Sequence, residues 1–267
     1  MPSRLVSAVA GAAGYAGVWA LLRVWTPGGT ARWERTNYAG RTVTLLGGVA
    51  VAKAAVLAAA TTPSPAGAVV AAFGGGAFGA IDDLGADSAT SSKGLRGHLG
   101  ALRHGRITTG ALKILGIGAT GLVAAVILTP RPRTTLDVAV GTGLVAGCAN
   151  LMNLFDLRPG RTLKVAALGA AVGTLAGSPR AAGALGVGLA AMGDDLGERT
   201  MLGDTGANAL GALLGTAVAA SPSRACRYTT LAAVVGLTLA SEKVSFSRVI
   251  QSSEPLRRLD NWGRLAP

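Results

Sequence analysis

The stretch PAGAVVAAFGGGAFGAIDDLGADSATSSKGLRGHL, Pro65 to Leu99, decides the fold. It runs apolar and uncharged from 65 to 81, places Asp82 and Asp83 side by side, and continues into a basic segment with Lys93 and Arg96. A helix that crosses the hydrocarbon core needs about 20 largely apolar residues, and the run before the aspartates approaches that length. Ionisable groups at the end of such a run are costly to place and usually face a partner, an ion or a substrate. Two adjacent carboxylates repel unless they share a cation or a proton, so a Mg²⁺ site or a raised pKa fits them. A solvated helix end held by nearby arginines fits them as well.

Runs of the same character recur along the 267 residues, at 5–24, 43–61, 65–81, 109–129, 134–155, 163–177, 180–193, 206–220 and 225–240. They predict an all-α, polytopic integral membrane bundle of about nine transmembrane helices. A single transmembrane domain, 1–240, is followed by a basic cytoplasmic tail, 241–267. Half of the residues are hydrophobic and 14% charged, with a mean hydropathy of +0.46, too apolar for an ordinary soluble domain. Small residues, as in AAFGGGAFGA, let helix backbones approach closely in lipid. The first run reads as a retained helix rather than a cleaved signal, because a secreted soluble protein has no use for the later ones.

The net charge of +12 comes from short clusters between the runs and not from one stripe, which argues for topology and against nucleic acid. Brief Pro-containing turns (TTPSP, TPRPR, GSPR, SPSR) alternate with longer charged segments, so every acidic cluster falls on one face. That face also holds Arg32, Arg35, Arg41, Lys93, Arg96, Arg103, Arg106, Arg158, Arg161 and Lys164. The rule that basic loops stay inside makes it cytoplasmic, and the protein is expected in the plasma membrane. Cys148 and Cys226 lack any metal or disulfide spacing and read as packing residues. His98 and His104 read as solvated loop residues.

Two further acidic groups end at the same face. In CANLMNLFDLRPGRTLK, Asn150, Asn153 and Asp156 recur every third residue and share an arc of about 120° on a helix, so all three can line one cavity. Helix–helix hydrogen bonding explains the asparagines equally well. In GDDLGERTMLGDTGANALG, Asp204 stands between glycines before a helix whose first N–H groups favour an anion such as phosphate. Asp204 acting as a plain N-cap is the alternative. The basic loop 93–106 can bind phosphate, or set topology and touch anionic lipid.

The order IDDLG, SKGL, NLMNLFD, MLGDTGANALG, with ERTNYAGRTVTLLGG ahead of it, resembles the polyprenyl-phosphate N-acetylhexosamine-1-phosphate transferases over about residues 35–215. The resemblance implies transfer of a sugar 1-phosphate from a UDP-amino sugar to a membrane polyprenyl phosphate, releasing UMP, for cell-envelope polymer synthesis. It implies Asp82, Asp83 and Asp156 as catalytic carboxylates and Asp204 and Asp156 as ligands of Mg²⁺ (or Mn²⁺). Lys93 and Asn153 are implied as substrate-binding; Arg96, Asn150 and Arg158, read from their own positions, are expected to join them, and a homodimer is common in the family. Joining two phosphate-bearing substrates calls for a cation held by carboxylates plus a basic loop.

Two departures stand out. Where the family has a second aspartate after its Asn-Asn-Asp motif, in a part associated with the nucleotide base, this chain has Pro159 within LRPGR. The family's late His-rich loop and tenth helix have no counterpart; Glu242, Lys243 and Arg248 are candidates to replace that loop's contacts, against a basic tail lying on the lipid surface. Rival readings are a transferase with another nucleotide-sugar donor and a catalytically silent relative that binds the lipid carrier or a partner protein. A transporter fits less well, because the charges gather at one face and not at mid-span.

Overall fold

The computed structural model describes residues 2–85 and 109–265. The described chain is all-helical apart from one hairpin: α1 Pro2–Val24, α2 Leu46–Ala60, α3 Pro65–Gly85, α4 Thr109–Leu128, α5 Thr135–Phe155, α6 Arg161–Leu175, α7 Pro179–Leu196, α8 Gly203–Ala219, α9 Arg224–Ser241, α10 Phe246–Ser252 and α11 Glu254–Asn261. Strands β1 Glu34–Thr36 and β2 Thr42–Thr44 pair antiparallel between α1 and α2.

Each of the nine apolar runs is a helix, but among the described residues four are long and apolar enough to cross a membrane: Ser3–Val24, Pro65–Gly85, Gly110–Leu128 and Thr135–Phe155. This narrows the expectation of nine spans, for a physical reason. Helices α2 and α6 have 15 residues each, about 22 Å at 1.5 Å per residue against a core of about 30 Å. Helix α8 has 17, and α7 carries Arg180, Asp194 and Asp195 within its 18.

Helix α8 is the centre of the bundle. It packs on α2, α3 and α5, while α1 lies on α2 and α7, α4 on α3 and α5, α6 on α7, and α9 on α5. Its residues Gly203, Gly206, Gly211 and Gly215 are all buried. Glycine on the facing helices permits these approaches: a Cβ on Gly48 would overlap the Leu202 carbonyl where α2 meets the start of α8, and one on Gly186 would overlap the Ala8 carbonyl where α7 meets α1.

The Pro-containing turns act as helix starts. Ser178 and Ser223 accept hydrogen bonds from the backbone N–H of Ala181 and Cys226, and Thr134 forms a capping box with Asp137. Asp137, 1% exposed, also receives Arg224 and Arg227 from α9, which ties α5 to α9 at that end of the bundle.

At the opposite end the longer segments meet one another. Thr44 bridges Thr200 in parallel, Arg41 and Asn37 donate to Glu198, and Arg35 donates to the Asp83 carbonyl at 2.8 Å. This common end carries the acidic groups, as the alternation of loops predicts.

Candidate functional site

The two neighbouring aspartates do different work. Asp83 reaches from the last turn of α3 to the start of α8: one carboxylate oxygen accepts the Asp204 N–H at 3.0 Å. The other accepts the Thr205 N–H at 2.9 Å and the Thr205 hydroxyl at 2.6 Å. A helix start leaves its first N–H groups without intrahelical partners, and Asp83 supplies the acceptor from another helix. The anion expected at this helix start is therefore a side chain of the same chain. Gly79 makes the approach possible, since a Cβ there would overlap the Asp204 carbonyl.

Asp82 and Asp204 meet through a residue that sequence reading passed over. The ammonium of Lys113, one turn into α4, donates to Asp82 Oδ2 at 2.8 Å and to Asp204 Oδ2. The three side chains are 18–25% exposed, so the cluster is sheltered yet open at one side. Asp204 lies within the first turn of α8, and the N-cap position belongs to Leu202 with no side-chain capping bond; the plain N-cap alternative does not hold. A lone lysine inside an otherwise apolar helix is itself a signal, and it was the signal available in ALKILGIG.

Asp156 ends α5 and lies on the wall of a cavity of about 210 Å³. Burial pushes its carboxyl well above the usual range, and the charges of Asp195 and Asp204 push the same way. The other walls come from Thr36, Asn37, Tyr38 and Val43 of the hairpin, from Leu157, Arg158 and Pro159, and from Asp195, Glu198, Thr200 and Met201. The Arg158 guanidinium stacks over the Tyr38 ring, 3.9 Å from its centroid. Asp195 accepts the Gly160 N–H at 2.5 Å, and Glu198 is held by Arg41 and Asn37.

Asp82, Asp83, Asp156, Asp204 and Arg158 thus gather at one end of the bundle. Asn150 is exposed and Asn153 half-buried, and neither lines this cavity, so the shared wall expected of the three-residue spacing narrows to Asp156. Lys93 and Arg96 lie outside the described residues, as do His98 and His104. Tyr38, Lys113, Asp195 and Glu198 are additions; the pair Asp194-Asp195 repeats the adjacent-carboxylate pattern of Asp82-Asp83, and that repetition was legible.

Among the described residues no three Asp, Glu, His or Cys side chains converge as a metal cage. Asp82 and Asp204 nevertheless converge on one cation, the lysine ammonium. Such a pair fits Mg²⁺, which takes one or two protein carboxylates and completes its shell with water and substrate phosphate oxygens. No protein-family model matches the chain, and no curated protein matches it either.

Proposed function

We propose that this chain is a membrane-embedded transferase that moves a sugar 1-phosphate from a UDP-sugar to a polyprenyl phosphate at the cytoplasmic face. The observation that carries the reading is the convergence of Asp82, Lys113 and Asp204 beside the Asp156 cavity, at one end of helices apolar enough to cross a membrane. An oxygen of the lipid phosphate bonds to the phosphorus that bears the sugar, the bond from that phosphorus to the bridging oxygen breaks, and UMP leaves with that oxygen.

Asp204, joined by Asp82, would hold Mg²⁺, which when bound would supply charge neutralisation for the phosphates; Asp156, expected as a further ligand, lies on the wall of the neighbouring cavity and does not converge with that pair. Lys113 keeps Asp82 and Asp204 from repelling one another. Asp83 orients Asp204 by capping α8, so it is a positioning residue rather than a group that meets substrate. The nucleotide is assigned to the cavity under Tyr38 and Arg158, where an aromatic face and a guanidinium plane offer stacking and polar atoms of the hairpin offer hydrogen bonds.

A second reading has one observation in its favour. Lys113 already neutralises both carboxylates, as a catalytically silent relative that binds the lipid carrier would require. Purified protein with polyprenyl phosphate, Mg²⁺ and a panel of UDP-sugars separates the two. Release of UMP that disappears in Asp204→Asn, with the variant still folded in detergent, supports the transferase; no turnover with any donor supports the silent relative.

A further inference from the structure

The segment after α9 folds back onto the loop that joins α5 to α6. The Phe246 ring stacks on Phe155 with centroids 4.8 Å apart. Arg161, 2% exposed, donates to both oxygens of Asp260, 5% exposed, at 2.8 and 3.0 Å, and to the Ser247 hydroxyl at 2.8 Å. Lys164 donates to the carbonyls of Leu259, Asp260 and Trp262 at 3.1, 2.8 and 2.6 Å. Its charge thereby sits at the negative end of α11 and fills acceptors that the helix leaves open.

Arg264 completes the contact. It donates to Asp260 at 2.7 Å and to the Pro159 carbonyl at 2.9 Å, while Asp195 accepts the Gly160 N–H from the other side. Pro159 C=O and Gly160 N–H belong to one peptide group, so that group is gripped at both polar atoms, by Arg264 and by Asp195. It lies three residues from Asp156 and adjoins Arg158. Gly160 has φ +70° and lies against Leu196, where a Cβ would meet one leucine methyl group; the left-handed conformation favours glycine there. The residues that reach the loop are thus Asp260 and Arg264, not Glu242, Lys243 or Arg248.

We propose that residues 246–264 are a fixed brace behind the candidate site, outside its lining, and that Asp260 and Arg264 are positioning residues which hold the loop carrying Asp156 and Arg158 in its binding geometry. The proposal rests on the transferase reading only in its nucleotide measurement. Hydrogen exchange of the full chain in detergent tests the positioning, comparing wild type with Asp260→Asn, Arg264→Ala, Arg264→Lys and, as a control, Arg257→Ala.

The amides of Leu157, Arg158, Gly160 and Arg161 are expected to exchange about tenfold faster in Asp260→Asn and Arg264→Ala, with α8 unchanged. Arg264→Lys recovers part of the protection through the Pro159 carbonyl, and Arg257→Ala behaves as wild type. Unchanged exchange in Arg264→Ala overturns the proposal, and this variant decides the matter if Asp260→Asn does not fold. UDP binding to the same proteins reads the consequence: affinity falls about tenfold in Arg264→Ala and recovers in Arg264→Lys. A loosened loop with unchanged UDP affinity overturns the positioning role. A wild type that does not bind UDP refutes the nucleotide assignment, and exchange alone then decides whether the brace holds the loop.

Discussion

Replacing Asp83 by alanine separates a structural carboxylate from a chemical one. The side chain accepts three hydrogen bonds, from the Asp204 N–H, the Thr205 N–H and the Thr205 hydroxyl. Losing a helix cap costs about 1 kcal/mol, and a sheltered backbone N–H left without a partner costs about 1–3 kcal/mol. Because the hydroxyl can rotate to another acceptor, the expected loss is about 3 kcal/mol. In a chain of this size that lowers the melting temperature by about 6 °C.

Asp82→Ala removes the ion pair to Lys113, which keeps Asp204, and should cost about 1 kcal/mol. Thermal unfolding of the purified protein in one detergent, followed by tryptophan fluorescence, measures both variants. Asp83→Asn should fall between wild type and Asp83→Ala, since the amide retains one acceptor oxygen. If Asp83→Ala melts within a degree of wild type and yet loses UMP release, the capping account is wrong and Asp83 belongs to the chemistry.

Two further outcomes are expected. Lys113→Ala should melt lower than wild type without divalent cations, because Asp82 and Asp204 then lose the cation between them, and Mg²⁺ should raise its melting temperature more than that of wild type. Binding at a hundredfold excess over Kd contributes about 2.7 kcal/mol, and equal Mg²⁺ responses in the two proteins would show that lysine and metal do not share the slot. The second outcome concerns pH. Burial works against the charge on Asp260, but Arg161 and Arg264 more than offset it and hold the carboxyl below its usual range. A depressed pKa stabilises above the unfolded value of about 3.9 and ceases to do so as pH falls through the folded value. Protection of the Leu157, Arg158 and Arg161 amides, corrected for intrinsic exchange, should therefore hold at neutral pH and fade below about pH 4, and Asp260→Asn should show no such fade; Gly160 is left out because burial pushes its acceptor, Asp195, up to about 7.

The sequence periodicity located the helices well because lipid-type packing writes itself into composition: runs of alanine, glycine and aliphatics bounded by Pro and Ser. It marks nine apolar runs, of which four helices among the described residues have both the length and the apolarity to cross a membrane; apolarity is legible where length is not. The 15 residues of α2 are continuous with the hairpin strand in hydropathy, and the helix begins at Leu46, just after Thr44 pairs with Thr200.

The site was half legible. Asp82, Asp156 and Asp204 declare themselves as carboxylates at apolar ends. Lys113 hides inside a span, and Asp83 looks identical to its neighbour until the start of α8 is seen beside it. The clasp of Arg161, Asp260 and Arg264 leaves no trace in local spacing, since Arg161 and Asp260 are 99 positions apart and any carboxylate in the basic segment would have served equally well on paper.

Leu196 carries a consequence of its own. Gly160 in the motif loop and Gly263 beyond α11 both adopt left-handed backbone, with φ +70° and +75°, and both turn their bare α-carbons to this one leucine, which a Cβ on Gly263 would approach at 3.1 Å. Three stretches of the chain are therefore gauged by a single side chain. In related sequences the leucine and the two glycines should be kept together: the left-handed backbone holds both glycines, and each leaves room for this one side chain.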